Sequence, residues 1–136
     1  YYYYPDGSYV KNGWVEVGGR WYLFDASGRM LTGWQERNGQ MYYLDGSGAM
    51  ITGWLSWNGR WCYMNETQDA YYGCLVRGHW LGKDGKTYYL DNVGYMIEGW
   101  NQVDGNWYYF YPGQGNKAVN TTIDTFYVND QGIWVH

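Results

Sequence analysis

Charge is thin in this sequence, with only 16% of its 136 residues ionisable as Asp, Glu, Lys or Arg, and the balance is acidic at −4. An acidic chain is a poor partner for a nucleic-acid backbone or an anionic membrane surface, and a better one for a cationic ligand. No apolar run approaches the length that crosses a bilayer, so no membrane insertion is expected. No basic-then-apolar leader is visible either; the chain opens on YYYYPDGSY, which reads as the tail of a repeat, so a signal is expected upstream on a larger parent. Leu, Ile and Val are scarce and helix formers few, which argues against a helical core. His79 and His136 lack any Ser, Cys or second His in a workable context, so no nucleophile, acid–base pair, metal site or cofactor is expected. An enzyme is the weakest reading.

What fills the space instead is Gly, at 21 residues, together with ten Trp and eighteen Tyr. Such a composition favours strands and tight turns, and it is arranged in repeats. Gly-Trp recurs at Trp14, Trp34, Trp54 and Trp100, with a variant GHW at Trp80. Behind each comes an aromatic and aliphatic cluster: WYLFD at Trp21, MYYLD at Met41, WCYMN at Trp61, TYYLD at Thr87, WYYFY at Trp107 and a degenerate TFYVN at Thr125. Between opening and cluster lies Gly18-Gly19, Asn38-Gly39, Asn58-Gly59, Asp84-Gly85 or Asp104-Gly105. These pairs tolerate positive φ at both corners of a type I′ turn, so each unit is expected to be a β-hairpin. The predicted repeats are 13–32, 33–52, 53–77 (irregular), 78–98 and 99–120, flanked by a partial unit at 1–12 and a degenerate cap at 121–136, together forming a single repeat module over 1–136.

A two-residue loop at Gly18-Gly19 fixes the register: Val17 faces Arg20, Glu16 faces Trp21, Val15 faces Tyr22 and Trp14 faces Leu23. Trp14 and Trp21 then share one face diagonally, and Tyr22 and Phe24 point to the other. A lone hairpin is barely stable in water, so each needs neighbours to bury its rings. The expectation is an all-β stack in which the Trp pair of one hairpin meets a Tyr of the next, three rings walling a cavity at each junction. The segments DASGRM, DGSGAM and DNVGYM join the hairpins, and Asp25, Asp45 and Asp91 in them are read as turn residues that cap their own backbone. Met30, Met50 and Met96 recur in these segments and are expected to floor the junctions. Tyr43, Tyr89 and Tyr109 are expected in the core.

The pattern GWxxxxxGxWYYFDxxGxMxTGW resembles the choline-binding repeat, or cell-wall-binding repeat, of streptococcal and related Gram-positive surface proteins, autolysins and phage lysins. The resemblance implies a β-solenoid, a left-handed superhelix of hairpins whose junctions cage choline between two Trp of one repeat and a Tyr of the next. It further implies non-catalytic anchoring of a larger, extracellular, wall-attached protein to phosphocholine on wall or lipoteichoic acid. Carried over junction by junction, it assigns ligand contact to Trp14, Trp21 and Tyr42; to Trp54, Trp61 and Tyr88, across the long connection NETQDAYYGCLVR; and to Trp100, Trp107 and Phe126. Trp34 meets Met41 and Cys62 where Trp and Tyr belong, and Trp80 meets Thr87 before Tyr108, so these two junctions are expected to be empty or weak. A disulfide between Cys62 and Cys74 is expected to staple the one enlarged repeat, as an extracellular setting permits. Two other classes stand beside this reading. One is a glucan-binding module stacking sugars on Trp and Tyr. The other is a structural spacer or a stalk that pairs as a homodimer.

Overall fold

A computed structural model describes residues 2–136. It contains twelve short strands: β1 (Gly13–Val17), β2 (Arg20–Phe24), β3 (Gly33–Arg37), β4 (Gln40–Leu44), β5 (Gly53–Trp57), β6 (Arg60–Met64), β7 (His79–Lys83), β8 (Lys86–Leu90), β9 (Gly99–Val103), β10 (Asn106–Phe110), β11 (Thr121–Ile123) and β12 (Phe126–Val128). Successive strands pair into six separate two-stranded antiparallel sheets. No helix occurs among the described residues, so none is long and apolar enough to cross a membrane. The chain divides into two compact units, Tyr1–Leu55 with Tyr63–Leu75 and Ser56–Cys62 with Val76–His136, the boundary running through the third hairpin.

The hairpins owe their shape to their turns. Asn38-Gly39, Asp84-Gly85 and Asp104-Gly105 hold φ of 53° and 79°, 54° and 76°, and 50° and 86° respectively, the paired positive values that a type I′ turn requires and that match the twist of the flanking strands. The register in β1–β2 is the one the turn dictates, Trp14 opposite Leu23 and Glu16 opposite Trp21. The sixth hairpin, β11–β12, turns at Asp124-Thr125 with φ of 50° and 73°. No Gly marks that turn, and a β-branched residue at positive φ is strained.

Each hairpin is completed by a third segment. The residue ending the second strand bridges to one in the following turn: Phe24 to Met30, Leu44 to Met50 and Met64 to Leu75 in the first unit, and Leu90 to Met96, Phe110 to Lys117 and Val128 to Trp134 in the second. Those strand-ending residues form the core. Leu44, Met64, Leu90, Phe110 and Val128 have no exposed surface and Phe24 almost none. In the second unit Ile97, Val103 and Tyr108 pack with Phe110, flanked by Tyr89 and Ile133. Between the bridges, carboxylate and amide side chains hold the loops. Asp45 Oδ1 accepts from the Ser47 and Ala49 N–H groups and the Ser47 hydroxyl, bonds of 2.7 to 3.0 Å, and these hold its carboxyl below the usual carboxylate range. Asp25 and Asp91 accept loop N–H groups in the same way, and so does the Asn129 side-chain carbonyl in the last loop.

The expected Cys62–Cys74 disulfide is absent: both thiols are free and buried. The register is the reason. Met64 bridges Leu75, and the Asn65 N–H donates to the Cys74 carbonyl at 2.9 Å, so the partner of Cys74 across the ladder is Asn65. Cys74 Sγ donates instead to Tyr42 Oη at 3.2 Å.

Candidate ligand cavities

Consecutive repeats are tied by a backbone hydrogen bond into the carbonyl of the first cluster residue. Met50 N–H donates to Trp21 (2.8 Å) and Leu75 to Met41 (2.8 Å) in the first unit; Met96 donates to Trp61 (2.8 Å), Lys117 to Thr87 (2.7 Å) and Trp134 to Trp107 (2.9 Å) in the second. The bond fixes which side chain of the next repeat lies beside each Trp. It therefore also fixes what lines each junction.

Across four of the hairpins, from β3–β4 to β9–β10, the opening Trp meets a Tyr of the cluster edge-on. Trp34 and Tyr43, Trp54 and Tyr63, and Trp80 and Tyr89 have ring centroids 5.1 Å apart, and Trp100 and Tyr109 5.2 Å. Such T-shaped pairs favour one orientation of the indole. Tyr43, Tyr89 and Tyr109 thus brace the tryptophans from within their own hairpins.

In the first unit Trp14, Trp21 and Tyr42 come together around a cavity of 180 Å³, joined by Met50 and Tyr72. Tyr42 stands edge-on to Trp14 at 5.0 Å. Its phenol is pushed up to about 12, first by burial and then by the Cys74 thiol beside it, so the wall carries no charge at neutral pH. In the second unit Trp100, Trp107 and Phe126 surround a cavity of 190 Å³ whose fourth wall is Trp134. Phe126 lies perpendicular to Trp100 at 6.0 Å and to Trp134 at 5.6 Å, and the His136 ring lies against Trp134, tilted by 44° at 3.8 Å. No charged side chain lines either cavity.

The other expected positions fall out differently. Trp54 belongs to the first unit, and Trp61 and Tyr88 to the second. Trp34 also lies in the first unit, with the carbonyl of Met41 engaged by Leu75, while Cys62 is buried in the second. At Trp80 the rings of Tyr108 (4.9 Å) and Phe110 (6.0 Å) are joined by a side chain that the triad pattern did not include, Lys117, whose Nζ lies 5.1 Å from the Trp80 ring centroid.

Trp134, Lys117 and Tyr72 were missed by reasoning on triads alone. A signal existed for the first two: NDQGIW and YPGQGNK end where DGSGAM ends, so Trp134 and Lys117 occupy the position of Met50. None existed for Tyr72, which sits in the enlarged connection where the regular repeats carry short polar turns.

A family model described as a choline-binding repeat matches residues 11–52, 31–72 and 76–121. Among solved structures, CbpF in complex with soaked-in ipratropium is 41% identical, with a TM-score of 0.88 over 100% of this chain and 42% of that one. CbpJ from Streptococcus pneumoniae is 39% identical, with a TM-score of 0.85 over 99% of this chain and 44% of that one. The modular Cpl-1 endolysin, complexed with a peptidoglycan analogue, is 34% identical, with a TM-score of 0.51 over 83% of this chain and 32% of that one. The chain thus spans less than half the length of each. No curated protein sequence matches it.

Proposed function

The chain belongs to the choline-binding repeat family, and from that premise we propose that it is a non-catalytic module that anchors a larger extracellular protein to the cell wall by gripping the choline of phosphocholine-bearing teichoic acids. Repeat modules of this family are generally non-catalytic binding domains. The observation that carries the proposal is the cavity walled by Trp100, Trp107, Phe126 and Trp134. A quaternary ammonium has no N–H to donate, so hydrogen-bonding residues give it nothing; ring faces, with their negative quadrupole, attract it and exclude water around it. At 190 Å³ the cavity is smaller than the roughly 300 to 1,000 Å³ that drug-sized ligands fill, a size suited to a headgroup. The cavity of Trp14, Trp21, Tyr42, Met50 and Tyr72 is the second proposed site, and Trp54, Trp61 and Tyr88 the third. A net charge of −4 favours the approach of a cation.

Single cages of this kind bind weakly, and firm attachment comes from several engaging one polymer. For the arrangement of the repeats we propose the left-handed β-solenoid, which small-angle scattering tests by its elongated profile. The functional test is retention on a tertiary-amine matrix and release by free choline, with calorimetry on the parent, Trp21→Ala, Trp61→Ala and Trp107→Ala, and on Trp34→Ala as control. Each of the first three substitutions is expected to remove one site and the control none. Release by dextran rather than choline, or unchanged stoichiometry in all three variants, overturns the reading.

A further inference from the structure

Lys117 stands where methionine stands in other repeats. Its N–H joins the carbonyl of Thr87 as that of Met96 joins Trp61, and it bridges Phe110 as Met96 bridges Leu90. Its stem follows the same track: the side chain of Met96 lies over Gly115, and that of Lys117 over Gly132, where an added Cβ would come within 2.7 Å of Lys117 Cδ. Only the end of the side chain differs. Lys117 Nζ lies 5.1 Å from the ring centroid of Trp80 and 5.5 Å from that of Tyr108, and it donates a hydrogen bond of 2.7 Å to the Gln131 carbonyl. Burial holds its pKa below the ordinary lysine value.

Trp80 and Tyr108 are the two rings that the triad pattern assigns to the fourth junction. We propose that Lys117 is a built-in ligand of this junction, its ammonium seated on the aromatic walls that would otherwise receive an external quaternary ammonium, so that the fourth junction is a latent choline-class site kept closed by the chain's own cation. The inference rests on the reading of the open cavities as quaternary-ammonium cages. The chemistry of the substitution fits. A primary ammonium is attracted by the same ring faces, and unlike choline it has N–H groups, one of which donates to the Gln131 carbonyl and so anchors the side chain over the rings. Once seated, it excludes a second cation by volume and by like charge. Thr87 removes a wall from the same junction but does not by itself close it: Thr87 faces Gly82 across β7–β8, and with no side chain opposite there is room for an indole at position 87.

Two measurements test this. Choline calorimetry compares the parent, Thr87→Trp and Thr87→Trp/Lys117→Met, with circular dichroism confirming that each is folded. The double variant is expected to bind one choline more than the parent and Thr87→Trp none more. An extra site in Thr87→Trp with Lys117 in place overturns the proposal, as does the lack of one in the folded double variant. The second measurement does not depend on the choline reading: the ε-methylene protons of Lys117, assigned by their loss in Lys117→Met, are expected upfield of those of exposed Lys86 through ring currents. Coincidence with Lys86 overturns the seating of the ammonium. A parent that binds no choline but retains the shifted Lys117 signal would refute the functional reading and leave the seating intact.

Discussion

The fourth and fifth junctions lie in one unit and use the same framework, yet one carries its own cation and the other an open aromatic cavity. Both have an opening Trp braced by a Tyr across its hairpin, Trp80 on Tyr89 and Trp100 on Tyr109, and both are tied to the next repeat by the same backbone bond. They differ where Thr87 replaces Trp107 and Lys117 replaces Trp134. The backbone frame is thus shared, and the two junctions differ in the side chains that project into them.

That division between framework and walls is broken most severely by attacking the framework. Phe110 has no exposed surface, and Phe110→Ala is expected to destabilise the protein by about 3 to 5 kcal/mol through lost burial and a residual cavity, seen as a large fall in the denaturant midpoint. Trp107 is 39% exposed, and Trp107→Ala is expected to do the reverse, lowering choline affinity at the fifth cavity by about tenfold or more for the loss of a ring worth up to about 2 kcal/mol, with a small change in midpoint. Equal stability losses in the two variants would erase the distinction.

Thr125 sharpens the comparison from the side of the turns. Held at a φ of 73° where the other type I′ corners carry Gly, it is expected to yield about 1 kcal/mol of stability on Thr125→Gly, strain relief outweighing the added freedom of the unfolded chain. Denaturant unfolding reads the sign. A destabilised variant would mean that Thr125 is unstrained there.

Smaller effects separate the two open cavities. Tyr72→Ala is expected to weaken choline binding at the Trp14 cavity by about 0.5 to 1 kcal/mol and leave the Trp100 cavity unchanged, a difference that calorimetry resolves as two classes of site. A pH dependence separates the cavities as well, through the titration of Tyr42. Its folded pKa of about 12 exceeds the ordinary value of 10.0, so its contribution to stability is present below pH 10 and is lost as pH rises through 12. Ultraviolet titration should show one tyrosine ionising late, and the late component should vanish in Tyr42→Phe.

Much of this was legible in the sequence because its determinants are local. Asn-Gly and Asp-Gly fix the corner dihedrals, the corner fixes the register, and the register puts Trp14 and Trp21 on one face; none of these steps needs a distant residue. The same logic assembled the triads Trp14/Trp21/Tyr42 and Trp100/Trp107/Phe126, since the partner comes from the next repeat at a constant offset. The sequence pattern went silent where a contact depends on how one repeat seats on another. Tyr72 reaches the first cavity only because Leu75 is bonded to Met41 and the enlarged connection is folded back from there. Cys74, expected to bond Cys62 within one repeat, is instead set opposite Asn65 by the Met64–Leu75 bridge. And whether the charge of Lys117 faces solvent or the rings of Trp80 and Tyr108 is set by a stem laid over Gly132, because only in the assembled unit does the missing Cβ of that glycine become the space in which the lysine lies.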